Sequence, residues 1–209
     1  EAIVAVDGFN DPKSALAPIM SAMPTTIVEA PDCASPAAVR ASMLKAAATS
    51  DVEVIVFCDM DDRLRSDAIR QHAEALRRSD FSYGDLELMD VTGQSCGRTF
   101  FSGCGIPDNV AGVEGCKALL DRNFLGFSNT ALWRRILTLA RSSIPSELGA
   151  ADWWFFTGLV HDGCTGAKTA STVVQYRSHP DNTLGWSPSP SPSALLRRIE
   201  LARRHYQSL

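Results

Sequence analysis

The run Val54-Ile-Val-Phe-Cys-Asp-Met-Asp-Asp62 concentrates more reactive groups than any other stretch of the chain. Apolar residues deliver Asp59, Asp61 and Asp62 to what reads as the C-terminal end of a buried strand, where open α/β sheets keep their ligands. Asp59 and Asp61 stand two apart, so on a continuing strand they share a face, and a turn beginning there lets Asp62 join them. Like charges this close repel unless a cation compensates them. Hard oxygen ligands in this number suit Mg²⁺ or Mn²⁺ shared with phosphate. The competing reading is a turn and capping cluster ahead of Ser66, with Asp62 its most ordinary member.

Alternating strand and helix signals would have to position these acids. Ala2 to Val6 reads as a buried strand stopped by Asp7-Gly8. A helix follows, with Asp11 as N-cap, Pro12 at its first position, and Leu16, Ile19, Met20 and Met23 at helical spacing around Pro18. Thr25 to Glu29 is a second strand. Ser35-Pro36 opens a helix with Val39, Met43, Ala46 and Ala47 on one face. Val52 to Cys58 is a third strand, apolar enough to sit centrally in a parallel sheet, with Cys58 as a small buried filler. Ser66 caps a helix whose face carries Ile69, His72, Ala73 and Leu76. This order is that of an α/β sheet.

The second half is less regular. Phe81 to Val91 alternates like one strand, and Thr92-Gly93 turns toward another at Arg98 to Phe101. Ser102 to Gly115 reads as loop, Thr130 to Arg141 and Trp153 to Val160 as helices, and Thr172 to Tyr176 as a strand. Trp186 to Ser193 is a Ser/Pro linker, expected to be extended. It leads to a terminal helix from Ala194 to Leu209. Leu195, Ile199, Ala202, Tyr206 and Leu209 form its apolar stripe, with Arg197, Arg198, Arg203 and Arg204 around it. That helix is expected either to dock on the domain or a partner subunit, or to lie on an anionic membrane. Residues 1–185 therefore read as one domain, with the acidic run in its first part, 1–90, and the less regular elements in its second, 91–185, followed by the linker 186–193 and the helix 194–209.

Composition limits the choices. The chain has 209 residues, 45% hydrophobic and 21% charged, too apolar and too weakly charged to be disordered as a whole. A net charge of −4 argues against non-specific gripping of nucleic-acid backbones, so phosphate must be met through a local site or a cation. No apolar run approaches the roughly 18 residues of a membrane span, and no signal peptide is visible. The six cysteines contain no CxxC, which favours reduced thiols and a cytoplasmic setting.

Taken in order, these segments resemble the family 2 glycosyltransferases of the GT-A fold, over most of residues 1–185. Ile3-Val-Ala-Val-Asp7 resembles the family strand whose final aspartate contacts the nucleotide base. Thr26 to Arg40 resembles the next strand and helix, where Arg40 would face the donor nucleotide. Asp59-Met60-Asp61-Asp62 matches the family's DxD element, which holds the divalent metal and the donor diphosphate. Phe124 to Arg135 is similar to the acceptor-side segment. Ala151-Asp152-Trp153-Trp154 stands where the family has an acidic pair, and Tyr176-Arg-Ser-His179 is similar to a late Tyr-Arg-x-His element.

The resemblance implies a GT-A, Rossmann-like, mostly parallel sheet flanked by helices. It also implies transfer of a sugar from a nucleotide-sugar donor to a saccharide or lipid-linked hydroxyl acceptor, with Mn²⁺ or Mg²⁺ as cofactor and inversion at the sugar. Asp152 would be the catalytic base, or else only the N-cap of its helix. Asp7, Arg40 and Asp59 would bind the donor nucleotide, and Asp59, Asp61 and His179 would hold the metal. Trp153 and Trp154 would stack on acceptor sugar, against the plainer reading of core residues. The family's opening strand has no counterpart in the sequence given. Ile3 to Asn10 is therefore expected either to follow a segment outside it or to act as first strand in a compressed sheet. Two rivals remain. One is a degenerate domain that binds a nucleotide or a partner without catalysis. The other is a haloacid-dehalogenase-like phosphatase with Asp59 as nucleophile and Asp61 as acid. The latter resemblance asks for Thr or Val at position 63, which is Arg63 here, and for the aspartate strand to come first.

Overall fold

The computed structural model describes residues 1–8, 10–30, 35–139, 144–179 and 191–209. The first half follows the expected order closely. Strand β1 (Ala2–Val6) leads to α1 (Pro12–Ala22), capped by the Asp11 carboxylate, which accepts from Ser14 N. Strand β2 (Thr25–Glu29) pairs in parallel with β1. Helix α2 (Pro36–Thr49) is capped by Ser35 Oγ, and its Ala37, Leu44 and Ala47 enter the core.

Next come β3 (Val54–Val56), β4 (Arg63–Leu64), α3 (Ala68–Leu76), β5 (Phe81–Tyr83), β6 (Leu86–Met89), β7 (Ser95–Thr99) and β8 (Asn109–Val110). Then follow α4 (Gly112–Asp121), a 3-10 turn at Phe127–Asn129, β9 (Thr130–Trp133), α5 (Arg134–Leu139), α6 (Ala151–His161), β10 (Gly166–Lys168), β11 (Val174–Arg177) and α7 (Pro192–Ser208). Beside the β1–β2 pair, a five-stranded sheet runs β3-β9-β5-β10-β8 and a four-stranded one β4-β11-β6-β7. The α/β class is the expected one, and its sheets are mixed. β1–β2, β5–β10 and β6–β11 are parallel, and the other pairings are antiparallel.

Several elements differ from expectation, each for a local reason. The third strand keeps only Val54–Val56 and lies at the end of its sheet, antiparallel to β9, not at the centre of a parallel one. Cys58 is exposed and fills no core. Thr130–Trp133 is a strand between β3 and β5, and only from Arg134 does the expected helix begin. A short run of Thr, Ala, Leu and Trp fits strand or helix equally by period. Burial on both sides settles it, since Ala131 and Leu132 are fully enclosed. Arg134 then anchors the turn into α5, its Nε donating to Val52 O at 2.7 Å; Arg141 falls outside the described residues.

Phe81 to Val91 is two strands in two sheets. The chain changes sheets at Gly84, where a Cβ would lie 2.5 Å from Thr169 Oγ1 and from Val173 Cγ2, so only glycine passes. Helix α4, which begins inside the stretch that reads as loop, has no side-chain N-cap to announce it, and opens on Gly112 at φ 51. Asp67 rather than Ser66 stands at the N-cap of α3, and its side chain makes no capping hydrogen bond. The buried face of α3 is Ala68, Gln71, His72, Ala75 and Leu76, while Ile69 is 64% exposed. His72 is fully buried; its Nδ1 meets Ser82 Oγ at 2.8 Å, and burial pushes its pKa down to about 4, so it is neutral. The linker 186–193 lies outside the described residues up to 190.

The core gathers aromatic rings beneath the sheet ends that carry the acids. Phe57 meets Phe127 edge-on at 5.1 Å, and Phe127 lies 5.8 Å from both Phe155 and Phe156. This packed block, reached from β3, the 3-10 turn and α6, is the floor on which the polar cleft rests.

Candidate active site

A cleft of about 570 Å³ opens where β1, α2, β3, the 3-10 turn, α6 and β11 converge. Asp7, Arg40, Asp59, Asp61, Asp152 and His179 all line it. These residues are scattered over 173 positions of sequence, and the fold brings them to one wall-to-wall space.

The acidic turn is held by hydrogen bonds. Asp62 N donates to Asp59 O at 3.0 Å, closing the turn, and Asp59 N donates to Ser128 Oγ at 3.0 Å. The Asp59 carboxylate pairs with the Arg40 guanidinium, which also lies 5.3 Å over the Phe127 ring. Such a stack suits Arg better than Lys, because the guanidinium is planar and weakly hydrated. Asp61 Oδ2 meets His179 Nε2 at 3.0 Å, and Asp61 O accepts from Arg177 Nε at 2.9 Å. β11 therefore delivers His179 to the acids by pairing with β4 and β6.

Asp62 has a different environment. It is buried, and its Oδ1 accepts from Arg177 N at 2.9 Å. Burial pushes its pKa up to about 6, against hydrogen bonds from Ser128 and the Arg177 amide, which lower it. Asp62 thus ties the acidic turn to β11, and its side chain caps no helix among the described residues.

Asp152 stands on the first turn of α6. Its Oδ1 accepts from Trp153 N at 2.7 Å. Burial pushes its pKa up to about 6; the Trp153 amide, the Arg40 charge and Asn123 oppose this, and Asp59 adds to it. Opposite it lies Gly126, where a Cβ would sit 3.6 Å from Asp152 Oδ2 and 3.3 Å from Asn129 Oδ1. Asn129 is itself fully buried and pins this loop: Oδ1 accepts from Gly126 N, and Nδ2 donates to Gly84 O and Phe124 O. Bare backbone therefore faces the carboxylate.

Two expected acceptor residues are elsewhere. Trp153 and Trp154 are 7% and 6% exposed and do not line the cleft. Trp153 Nε1 donates to Leu119 O at 2.6 Å and its ring stacks on His205, while Trp154 Nε1 donates to Ser208 O at 3.3 Å. Neither indole face is open to a sugar. Conversely Ser128, Asn123, Asn129 and Tyr176 line the cleft without having been singled out. For Ser128, Asn129 and Tyr176 the sequence signal is membership of the segments 124–135 and 176–179, and Asn123 has none. Burial and the surrounding carboxylates, Asp62 first, hold the Tyr176 hydroxyl well above its ordinary range.

Among the described residues no three His, Cys, Asp or Glu side chains form a cage for a metal ion. The Asp61–His179 pair is nevertheless an oxygen and an imidazole nitrogen side by side at the mouth of the cleft. Mg²⁺-type sites commonly take one or two carboxylates, of which Asp61 offers one, and complete their shell with water and substrate phosphate. The donor chemistry present fits that kind of shared site, and Asp59 is engaged by Arg40 instead.

No protein-family model and no curated protein matches the sequence. Solved structures do match in fold. Staphylococcus aureus TarS residues 1–349 in complex with UDP-GlcNAc superposes with a TM-score of 0.65 at 15% identity, over 98% of this chain and 57% of that one. The same protein in complex with UDP gives 0.59 at 15%, over 99% and 62%, and TarS itself gives 0.59 at 14%, over 99% and 38%. The chain thus shares the TarS fold and spans less than two thirds of those chains.

Proposed function

We propose that this chain is the catalytic domain of a nucleotide-sugar-dependent glycosyltransferase of the family 2, GT-A type. The observation that carries the proposal is the convergence of Asp7, Arg40, Asp59, Asp61, Asp152 and His179 on one cleft. The fold shared with a protein that takes UDP-GlcNAc and UDP supports it.

On this reading Asp7 addresses the nucleotide base, and Arg40 with Asp59 faces the nucleotide and diphosphate. Asp61 and His179 hold Mn²⁺ or Mg²⁺, which when bound supplies positive charge against the departing diphosphate. Asp152 takes the proton of the acceptor hydroxyl as its oxygen forms a bond to the anomeric carbon. The bond from that carbon to the diphosphate breaks with inversion, and the nucleoside diphosphate leaves. With a pKa near 6, Asp152 is ionised at neutral pH yet more basic than an ordinary carboxylate, which suits general-base work. The acceptor is a saccharide or lipid-linked saccharide hydroxyl, and the setting is cytoplasmic or at the inner membrane face. Among the described residues no helix is long and apolar enough to cross a membrane. The surface that would meet a membrane is α7, whose Leu195, Leu196 and Ile199 are exposed.

Calorimetry with UDP, GDP and dTDP, each with and without Mn²⁺, tests the proposal. One nucleotide is expected to bind in a metal-dependent manner, and Asp61→Ala to abolish that dependence. Binding by none would favour a non-catalytic domain, and hydrolysis of p-nitrophenyl phosphate would favour the phosphatase.

A further inference from the structure

The terminal helix α7 docks with most of its apolar stripe left outside. Leu195, Ile199, Tyr206 and Leu209 of that stripe stay exposed, whereas His205 is 1% exposed. The His205 ring stacks on Trp153 at 4.0 Å and 11°, and both of its nitrogens are buried without a hydrogen-bond partner. Desolvation pushes its pKa down to about 4, so it packs as a neutral flat ring. Tyr206 meets the Trp153 edge at 5.7 Å, and its hydroxyl bonds Leu120 O. One turn earlier, Leu201 lies directly on Gly149, where a Cβ would come within 2.1 Å of Leu201 Cδ2.

These two contacts flank one residue. Gly149 lies three positions before Asp152 and Trp153 one after it, and Gly149 to Asp152 form a wall of the cleft. The start of α6 has no anchor of its own, because Ala150 at the N-cap offers no side chain to the first amides. Asp152 uses one oxygen on its neighbour's amide. The carboxylate is also met by Asn123 and by the charges of Arg40 and Asp59, and α4 receives Trp153 Nε1 at Leu119 O; behind Gly149 and Trp153, the residues on either side of it, lies α7.

We infer that α7 positions the Asp152 carboxylate, with His205 acting through Trp153 and Leu201 acting through Gly149 as positioning residues. The tail of the chain thus governs the chemistry of a cleft that it does not line. The role of Asp152 as base rests on the function proposed above; its positioning by α7 does not.

The test is a carboxyl-carbon NMR titration of the full chain, with the Asp152 signal identified by its loss in Asp152→Asn. His205→Ala is expected to lower the Asp152 midpoint by about one pH unit, toward the range of a solvated carboxylate. His205→Phe, which keeps the flat ring and carries no nitrogen, is expected to leave it in place. If His205→Ala does not fold, Gly149→Ala serves. The new Cβ would dislodge Leu201 and lower the midpoint, and Leu201→Ala in the same chain would restore it. Identical Asp152 titrations in the wild type and in whichever of these disrupting variants folds would overturn the inference, as would His205→Phe behaving like His205→Ala. A midpoint shift without nucleotide binding in calorimetry would leave α7 as a positioning element and remove only the transferase reading. Nucleotide binding without a shift would do the reverse.

Discussion

Replacing Asp152 by Asn should make the protein more stable at neutral pH while disabling it. The carboxylate ionises at about 6 in the folded chain instead of the ordinary 3.8, a gap worth on the order of 3 kcal/mol. The sign follows from linkage. A raised folded-state pKa means that the folded protein holds the proton more tightly than the unfolded chain does. Ionisation therefore costs nothing below about pH 4, costs progressively more between about 4 and 6, and costs the full amount above 6. Asn keeps an oxygen for the Trp153 amide, so the hydrogen bond at 2.7 Å is retained, while the charge is lost and the second acceptor oxygen becomes an NH2 group facing Asn123. Urea unfolding of both proteins at intervals from pH 3.5 to 8 measures the difference directly. The two should match near pH 3.5, with the variant gaining on the wild type as pH rises and levelling off above 6. A variant equal to or weaker than wild type at pH 7.5 would refute the argument, because the carboxylate would then not be strained by its burial. Nucleotide binding should survive the substitution and transfer should stop, the pattern expected where a site keeps a destabilising group for function.

Other consequences concern the frame of the cleft. Gly166→Ala should destabilise the fold by about 1–3 kcal/mol, measured by thermal unfolding, since a Cβ there would lie 2.3 Å from Phe81 Cε2 and 2.7 Å from Val110 Cγ2. Ser128→Ala removes the oxygen that receives the Asp59 amide. It should cost about 1–3 kcal/mol in urea unfolding and weaken UDP binding in calorimetry. Leu196→Ser with Ile199→Ser changes only exposed positions of α7, so stability should hold within about 0.5 kcal/mol. Sedimentation with anionic vesicles should drop if α7 rests on a membrane, and an undiminished pellet would remove that role.

The polar half of the site was more legible than its surroundings. Asp59 and Asp61 stand out by residue type at the end of an apolar run, whereas Asp7, Arg40, Asp152 and His179 are proposed from the order of segments that the resemblance supplies, and all six line one cleft. A tryptophan pair carries no sign of which way each faces; the helix buries both, Trp153 between α4 and α7 and Trp154 against the end of α7. Thr130–Trp133 was misjudged because its apolar run is too short for its period to decide, and its place between β3 and β5 is set by distant partners. The stripe on α7 illustrates the same limit. Helical spacing identifies a face, yet His205 and Leu201 won the docking surface because a flat ring and a branched tip fit Trp153 and Gly149. Ser128 and Asn129 were invisible for a related reason, since their value lies in backbone groups that meet them only after folding.

The most direct test of the central claim is an amide-resolved NMR titration of the chain with UDP in the presence of Mg²⁺. The perturbed amides should cluster on the cleft, at Asp7, Arg40, Asp59, Ser128 and His179. No perturbation at saturating nucleotide would contradict it. So would a cluster confined to the separate groove that holds Arg70, Arg77, Arg78 and Lys168.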